Sequence, residues 1–321
     1  MLNISSPYVY IIKISIISMI LLEPSSTIVE QKPGMEGMLK QIEYCGRISH
    51  KSEDSITETS YVEFIKKMQN LKHYATFEHG TAYLMIDRNK IGFGFESLLF
   101  KYEHNPYSKV HFSQENPGIA YITTNYRVIC ENGWEEDLKY MVDEPTEFHE
   151  KRITVVFTCD IGVSREYNRH RVDSILEEST RYCNYTKDKF GGKLNVMTPV
   201  WLADRVDRIE NILSGFDMQK YCKLIGDGLD EMFEDIDYWL TANLCCEYCY
   251  NKLVKDFKWT PQQARTILPL DTKTTLAHTA FVSDWKHFFD LRALGTTGAP
   301  HPSAKQLAEP LMKEFLDRHY I

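Results

Sequence analysis

Residues 153–159 read Ile-Thr-Val-Val-Phe-Thr-Cys and run without a turn signal into Asp160-Ile-Gly-Val-Ser164-Arg165-Glu166. A short run of β-branched and aromatic residues predicts a buried strand. The polar segment after it predicts a helix carrying Ser164, Arg165, Glu166 and Arg169. A strand that feeds a polar helix needs a sheet on one side and helices to cover it. The rest of the chain agrees. Apolar positions at helical spacing cover 34–46, a second helix spans Ser60 to Asn70, and Phe77 to Ile86 reads as a strand. Ile119–Thr124 is another strand-like run, inside an aromatic-, Asn-, Pro- and Gly-rich stretch at 88–150 that looks like an elaboration. Residues 203–257 repeat apolar positions at three and four, and two closing helices span Asp284–Leu294 and Ser303–His319. Thr260-Pro261-Gln262-Gln263 is a helix start, with Thr as cap and Pro at the first position, and its helix presents Arg265. The expected class is α+β: one domain with a central, mostly antiparallel sheet flanked by helices, strands early and a helical C-terminal half.

The N-terminus holds an ambiguity. Tyr8 to Leu22 is mostly apolar, but Lys13 interrupts it, no basic residue precedes it and no small-x-small cleavage site follows. It is also short for a membrane span. The alternation Ile-Lys-Ile-Ser-Ile favours an early strand, in a start that is either genuine or an over-extended reading frame. Residues 1–27 are therefore read as an N-terminal extension or strand, ahead of a domain at 28–321.

Charge narrows the partners. The net charge is -8 over 321 residues, which argues against a surface that binds nucleic acid by counterion release. Yet Arg169-His170-Arg171 is followed after seven residues by Ser179 and then Arg181. Guanidinium groups bind phosphate bidentately and stay charged. A local cationic site in an acidic protein suits a small phosphorylated molecule. Glu177, Ser179 and Arg181 are spaced by two, so in an extended segment all three point the same way. A solvated basic helix end is the competing reading.

Two further groups stand out. His73-Tyr-Ala-Thr-Phe77-Glu78-His79 places two imidazoles six apart, not the four of a helical zinc motif; a polar turn, or His73 against a bound ring cofactor, fits better. Arg265 and Arg292 border apolar runs, where a charge needs a partner or a ligand anion. The eight Cys do not form a disulfide framework and read as reduced thiols of a cytoplasmic protein. Cys245-Cys246-x-x-Cys249 lacks a second ligand pair, so no metal is expected.

Taken together, Arg-His-Arg, seven residues, Ser, then x-Arg-Tyr resembles the signature of the flavin-dependent thymidylate synthases. Supporting resemblances occur in order along the chain: Glu30-Gln-Lys-Pro-Gly34 and Gly46-Arg47, then His73 with Phe77-Glu78-His79, then Ala264-Arg265 to Leu268-Pro269, then Phe289-Asp-Leu-Arg292. They cover about 28–315. The 88–150 stretch is a longer insertion than compact members carry.

The resemblance implies reductive methylation of dUMP to dTMP, with FAD as cofactor and NADPH and 5,10-methylenetetrahydrofolate as cosubstrates. It implies a homotetramer with sites shared between subunits, acting without nucleic acid or membrane. A related flavoenzyme acting on another pyrimidine nucleotide, or an inactive nucleotide-binding homologue, is the alternative. By the same resemblance His73, Arg169, His170, Arg171, Glu177 and His287 hold FAD. Glu166, Arg169, Glu177, Ser179, Arg181, Arg265 and Arg292 hold dUMP. Arg292 is the catalytic candidate, a cation beside the uracil that favours ionisation at N3 and so enriches a poorly nucleophilic C5. The hydride comes from reduced flavin, so no active-site Cys is required. Ala75, Leu176, Phe281 and Ser283 depart from the family pattern, and His287 stands where members often carry Asn.

Overall fold

A computed structural model describes residues 19–187, 190–215 and 217–321. The alternating run around Lys13 lies outside them. In chain order the strands are β1 (Ile20–Leu22), β2 (Ser25–Val29), β3 (Thr81–Asp87), β4 (Lys109–Phe112), β5 (Ile119–Asn125), β6 (Arg152–Asp160), β7 (Ser174–Glu177), β8 (Asn195–Met197) and β9 (Lys273–Phe281). The helices are α1 (Gly34–Ile48), α2 (Ser60–Asn70), α3 (Arg88–Ile91), α4 (Phe95–Glu103), α5 (Tyr126–Asn132), α6 (Ile161–Tyr167), α7 (Val206–Gly215), α8 (Met218–Gly226), α9 (Asp235–Lys255), α10 (Pro261–Ala264), α11 (Val282–Phe289) and α12 (Pro302–Asp317).

Two antiparallel sheets dominate. The first has the order β2-β6-β9-β7, and the nine-residue β9 lies between β6 and β7. The second has the order β3-β5-β4. A short parallel pair, β1 with β8, stands apart. The α+β class is borne out, with one correction. Strands are not confined to the first half, because β9 forms late and occupies the middle of the first sheet. Its sequence, Lys-Thr-Thr-Leu-Ala-His-Thr-Ala-Phe, gives no apolar alternation. Several of its buried polar side chains are paired: Thr279 Oγ1 lies 2.7 Å from Thr154 Oγ1 and 2.8 Å from His79 Nδ1.

The strand β6 runs into α6 as expected. Asp160 caps that helix, its Oδ1 accepting the Val163 N–H at 2.6 Å. The helix ends at Tyr167, so Arg169 sits beyond it rather than on it. Another sequence expectation fails at Phe77: residues 74–79 form a 3-10 turn, and the strand starts only at Thr81. The run 203–257 divides into α7, α8 and α9. Arg265 follows α10 as the first residue of a 3-10 turn.

Three main apolar cores result. One packs Val155, Phe157, Trp285, Phe288 and Phe315 between the first sheet and α6, α11 and α12. A second packs Ile42, Phe77, Leu84, Leu99 and Ile122 around the second sheet, which includes β4 and β5 of the insertion. The third gathers Leu202, Ile236, Leu240 and Tyr250 under α7 and α9. Among the described residues no helix is long and apolar enough to cross a membrane.

Candidate active site

The first sheet and its connections bring distant motifs together. Arg292 lies in a five-residue π-turn, Asp290–Leu294, that continues α11. Such wide turns recur at functional sites. Gly295 closes it at φ 70°, its N–H bonding to the Asp290 carbonyl. A side chain there would press on Gly298 O and Pro300 Cδ, each 2.8 Å from an added Cβ, so the turn requires glycine. From this turn Arg292 Nη1 reaches Glu166 Oε2 at 2.6 Å, Nη2 reaches the Glu166 carbonyl at 2.6 Å, and Nε reaches His170 Nε2 at 3.2 Å. Segments more than a hundred residues apart thus meet in one cluster. Arg292 is mostly buried, whereas Glu166 is 44% exposed in its side chain.

His170 is buried against Phe288, with ring centroids 5.0 Å apart, and His287 approaches from the exposed side at 6.0 Å. Burial, assisted by neighbouring His278, pushes the His170 pKa down to about 4. His170 is therefore a neutral imidazole at physiological pH, facing a guanidinium donor. Behind it His278 Nε2 sits 2.6 Å from Asp173 Oδ2, both side chains fully enclosed.

The segment after β7 forms a second cluster. Glu177 Oε1 accepts from Ser164 Oγ at 2.7 Å, and Oε2 from Asn168 Nδ2 at 3.4 Å. Its neighbour Glu178 turns the other way and is buried on Lys273, Oε2 to Nζ 2.6 Å. The two-residue alternation therefore holds at 177 and 178. It fails at Arg181: a turn begins at Ser179, whose carbonyl accepts the Cys183 N–H at 2.9 Å. The Ser179 hydroxyl accepts the Arg181 N–H at 3.3 Å, the local side-chain bond that competes with extension. Arg181 consequently leaves the row and donates to Gln262 Oε1 at 3.0 Å. Arg265 is held instead by Thr180 Oγ1 at 3.3 Å. A cleft of about 500 Å³ is lined by Ser164, Glu177, Ser179, Thr180 and Arg265, with Pro269 at its edge.

Strand β7 divides this cleft from a larger one. Leu176, one residue before Glu177, borders a cavity of about 1040 Å³ together with Arg47, His50, Phe64, His73 and Ala75. His73 thus lines a roomy, largely apolar space whose charged lining includes Arg47, Lys67 and Arg127 as well as Glu63 and Glu131, and which Arg292 does not line. Arg171 borders a third and smaller cavity, about 240 Å³, with Asn105, Tyr107 and Arg127 of the insertion. Arg169 is exposed.

Among the departures, Phe281 is buried, with Lys109 4.7 Å and Arg152 5.5 Å from its ring centre. Ser283 is tied to the insertion by Lys109 on its hydroxyl and by its own N–H on Glu150 Oε1 at 3.1 Å. Both positions are committed to structure here. Sequence reasoning passes over Ser164, Thr180, Gln262 and the pairs Asp173–His278 and Glu178–Lys273. Only Ser164 carries a signal, lying on the helix that also bears Glu166. Among the described residues no cluster of three His, Cys, Asp or Glu suits a metal.

A family model described as thymidylate synthase complementing protein, Thy1, matches residues 136–319, more than half of the chain. The chain belongs to this family. The matched segment contains every cofactor- and nucleotide-binding candidate expected from the sequence except His73. The expected family and the enzyme class, a methyltransferase of the flavin-dependent thymidylate synthase kind, are borne out. No curated protein matches. Among solved structures, the chain is similar to a UMP/dUMP methylase, PolB, from Streptomyces cacaoi bound with 5-Br dUMP, at 14% identity over 93% of each chain and a TM-score of 0.38. It is also similar to flavin dependent thymidylate synthase ThyX from Helicobacter pylori complexed with FAD and dUMP, at 13% identity over 93% of this chain and 96% of that one, with a TM-score of 0.36.

Proposed function

We propose that the protein methylates dUMP reductively to dTMP, using 5,10-methylenetetrahydrofolate as one-carbon donor, FAD as redox cofactor and NADPH as reductant. The observation that carries this reading is the meeting of Arg292 with Glu166 and His170, in a chain of the thymidylate synthase complementing family. A fixed guanidinium at that point stabilises negative charge on an electron-rich pyrimidine ring. Arg265, Ser179 and Glu177 line the adjoining cleft, which supplies a cation for phosphate and polar groups for the sugar. Arg181 stands beside it on Gln262 and would turn inward to complete phosphate binding.

The donor set fits a dinucleotide cofactor. Arg169 and Arg171 are exposed, and a guanidinium suits a pyrophosphate. His73 and Leu176 border the cavity of about 1040 Å³, whose size suits a ring system. His170, His287 and Glu177 complete the cofactor set. When bound, FAD supplies the hydride that reduces the transferred carbon to a methyl group. The protein's own residues position the nucleotide, polarise its ring and, through the buried Phe288 and neutral His170, keep the Arg292 side dry.

The family resemblance carries the homotetramer with shared sites, in which a neighbouring subunit would cover the exposed Arg169 and Arg171. Residues 28–321 act as one catalytic unit, to which β1 and the start of β2 at 20–27 are joined by strand pairing, with 88–150 as an elaboration that meets it at Asn105, Tyr107 and Lys109. Purified protein tests the reading: flavin absorbance that is perturbed by added dUMP supports it. A colourless protein that takes up no FAD contradicts it.

A further inference from the structure

We propose that Cys222 of α8 and Cys245 of α9 are a redox modification site, which a peroxide closes into a reversible disulfide between the two helices. None of the residues assigned to cofactor or nucleotide takes part, and the inference stands whether or not that reading does.

The fold brings together two thiols that the sequence leaves unconnected. Cys222 Sγ and Cys245 Sγ lie 3.3 Å apart, and both are free. A disulfide bond is about 2.05 Å long, so sulfur movement on the order of 1 Å joins them. Cys222 is exposed and Cys245 half-buried, whereas Cys45, Cys159 and Cys183 are buried. Burial pushes the thiols of Cys45 and Cys159 well above their usual range, so they do not compete for an oxidant that takes exposed thiolate. Cys245 is also pushed up, to about 12, first by burial and then by its contact with Cys222. It keeps its proton, and Cys222 is the sulfur that meets the oxidant. Cys249 lies one turn beyond Cys245 on the same face and is exposed, which makes it the competing partner.

The two helices are held unequally. On α9, Leu240, Leu244 and Tyr250 sit in the third core. Trp239 Nε1 donates to Asp271 Oδ2 at 2.7 Å, and Glu247 Oε1 accepts the Leu194 N–H at 3.0 Å. The helix α8 buries no residue; its Tyr221 packs on Phe233 with ring centroids 5.0 Å apart. A helix with little buried surface opens locally before the body of the protein does, and a covalent link to α9 opposes that opening. In the reaction the Cys222 thiolate attacks one oxygen of hydrogen peroxide. The O–O bond breaks, Cys222 becomes a sulfenic acid, and the hydroxide that leaves takes up the proton Cys222 had lost. The Cys245 sulfur then attacks the Cys222 sulfur, the S–O bond breaks, and the oxygen leaves as a second water with the Cys245 proton. Two thiols give two electrons to one peroxide, and a dithiol reductant reverses the change by exchange.

To test this, the full chain is treated with a small excess of hydrogen peroxide, remaining thiols are blocked with N-ethylmaleimide, and linked peptides are sequenced by mass. The expected product joins Cys222 to Cys245 within one chain, lacks two hydrogens, and returns to free thiols with dithiothreitol. Tryptic cleavage after the exposed Lys220 and Lys223 of α8 should slow severalfold in the oxidised protein and recover on reduction. Cys222→Ser lies on the surface and disturbs no core; it should abolish both effects, whereas Cys249→Ser should leave both intact. A Cys222 sulfinic acid with no cross-link, a bond from Cys222 to Cys249, a bond between chains, or no loss of thiols overturns the inference. Unchanged tryptic cleavage in protein that carries the Cys222–Cys245 bond overturns the claim that the bond holds α8 on α9.

Discussion

The two sheets of this molecule are built on opposite terms. The β3-β5-β4 sheet packs Leu84, Ile86, Ala120 and Ile122 into an apolar core with Phe77 and Leu99. The β2-β6-β9-β7 sheet has an apolar face too, but its middle strand also buries Lys273, His278 and Thr279. Each needs a partner, because an unmatched buried polar group costs more than a hydrogen bond returns. Glu178, Asp173, Thr154 and His79 provide those partners. Three of them, Asp173, Thr154 and Glu178, lie on or beside the strands that flank β9. The polar sheet is the one that holds the site. Networks of this kind fix the register of β7 against β9, and β7 in turn sets Leu176 and Glu177 on different clefts.

This contrast can be broken at its strongest point first. Glu178→Ala leaves Lys273 buried without its carboxylate, and should cost about 3–5 kcal/mol of stability in denaturant unfolding. The paired change Glu178→Leu with Lys273→Met should recover most of that loss, since two well-packed apolar side chains replace a buried pair at little cost. Recovered stability with lost dUMP binding would separate the sheet's polar content from its fold. In the apolar sheet, Leu84→Ala should cost about 2–5 kcal/mol by leaving a cavity, with turnover of the folded protein retained. A larger catalytic than structural effect there would erase the distinction between the sheets.

Much of this is legible in the sequence. The run 153–159 and α2 can be read close to their true limits, since β-branched runs and helical periodicity record which face is apolar. The strand β9 cannot, because its burial depends on partners more than ninety residues away in sequence, such as Glu178 and Asp173. The site motifs are visible as residue types and spacings. The departure of Arg181 from the row is not, because the Ser179 hydroxyl ends the extended segment by a local hydrogen bond. Nor is the Glu166–Arg292 contact, which depends on the π-turn after α11.

Acid sharpens the comparison further. Burial lowers the pKa of His170 to about 4 and that of His79 to about 3, from an ordinary value of 6.5. The unfolded chain takes up those protons first, so stability is complete above about pH 6.5 and falls as pH drops toward 4 and 3. Thermal unfolding across that range should show the loss, and His79→Gln should flatten part of it. A flat native profile would mean that these imidazoles are not buried. The smallest expected effect is Ser179→Ala. Loss of one hydroxyl should weaken dUMP binding by about 1 kcal/mol, roughly fivefold, and slow the chemical step less. Abolished turnover at normal dUMP affinity would instead give Ser179 a direct chemical role.

Placement of Arg292 over the nucleotide ring by the polar sheet and its π-turn is the point on which the proposed chemistry turns. The most direct measurement compares native protein and Arg292→Ala in NADPH-driven conversion of dUMP with methylenetetrahydrofolate, with product identified by mass and bound FAD by absorbance. The expected result is dTMP from the native protein, none from the variant, and FAD retained in both. Unchanged turnover in Arg292→Ala would contradict that placement.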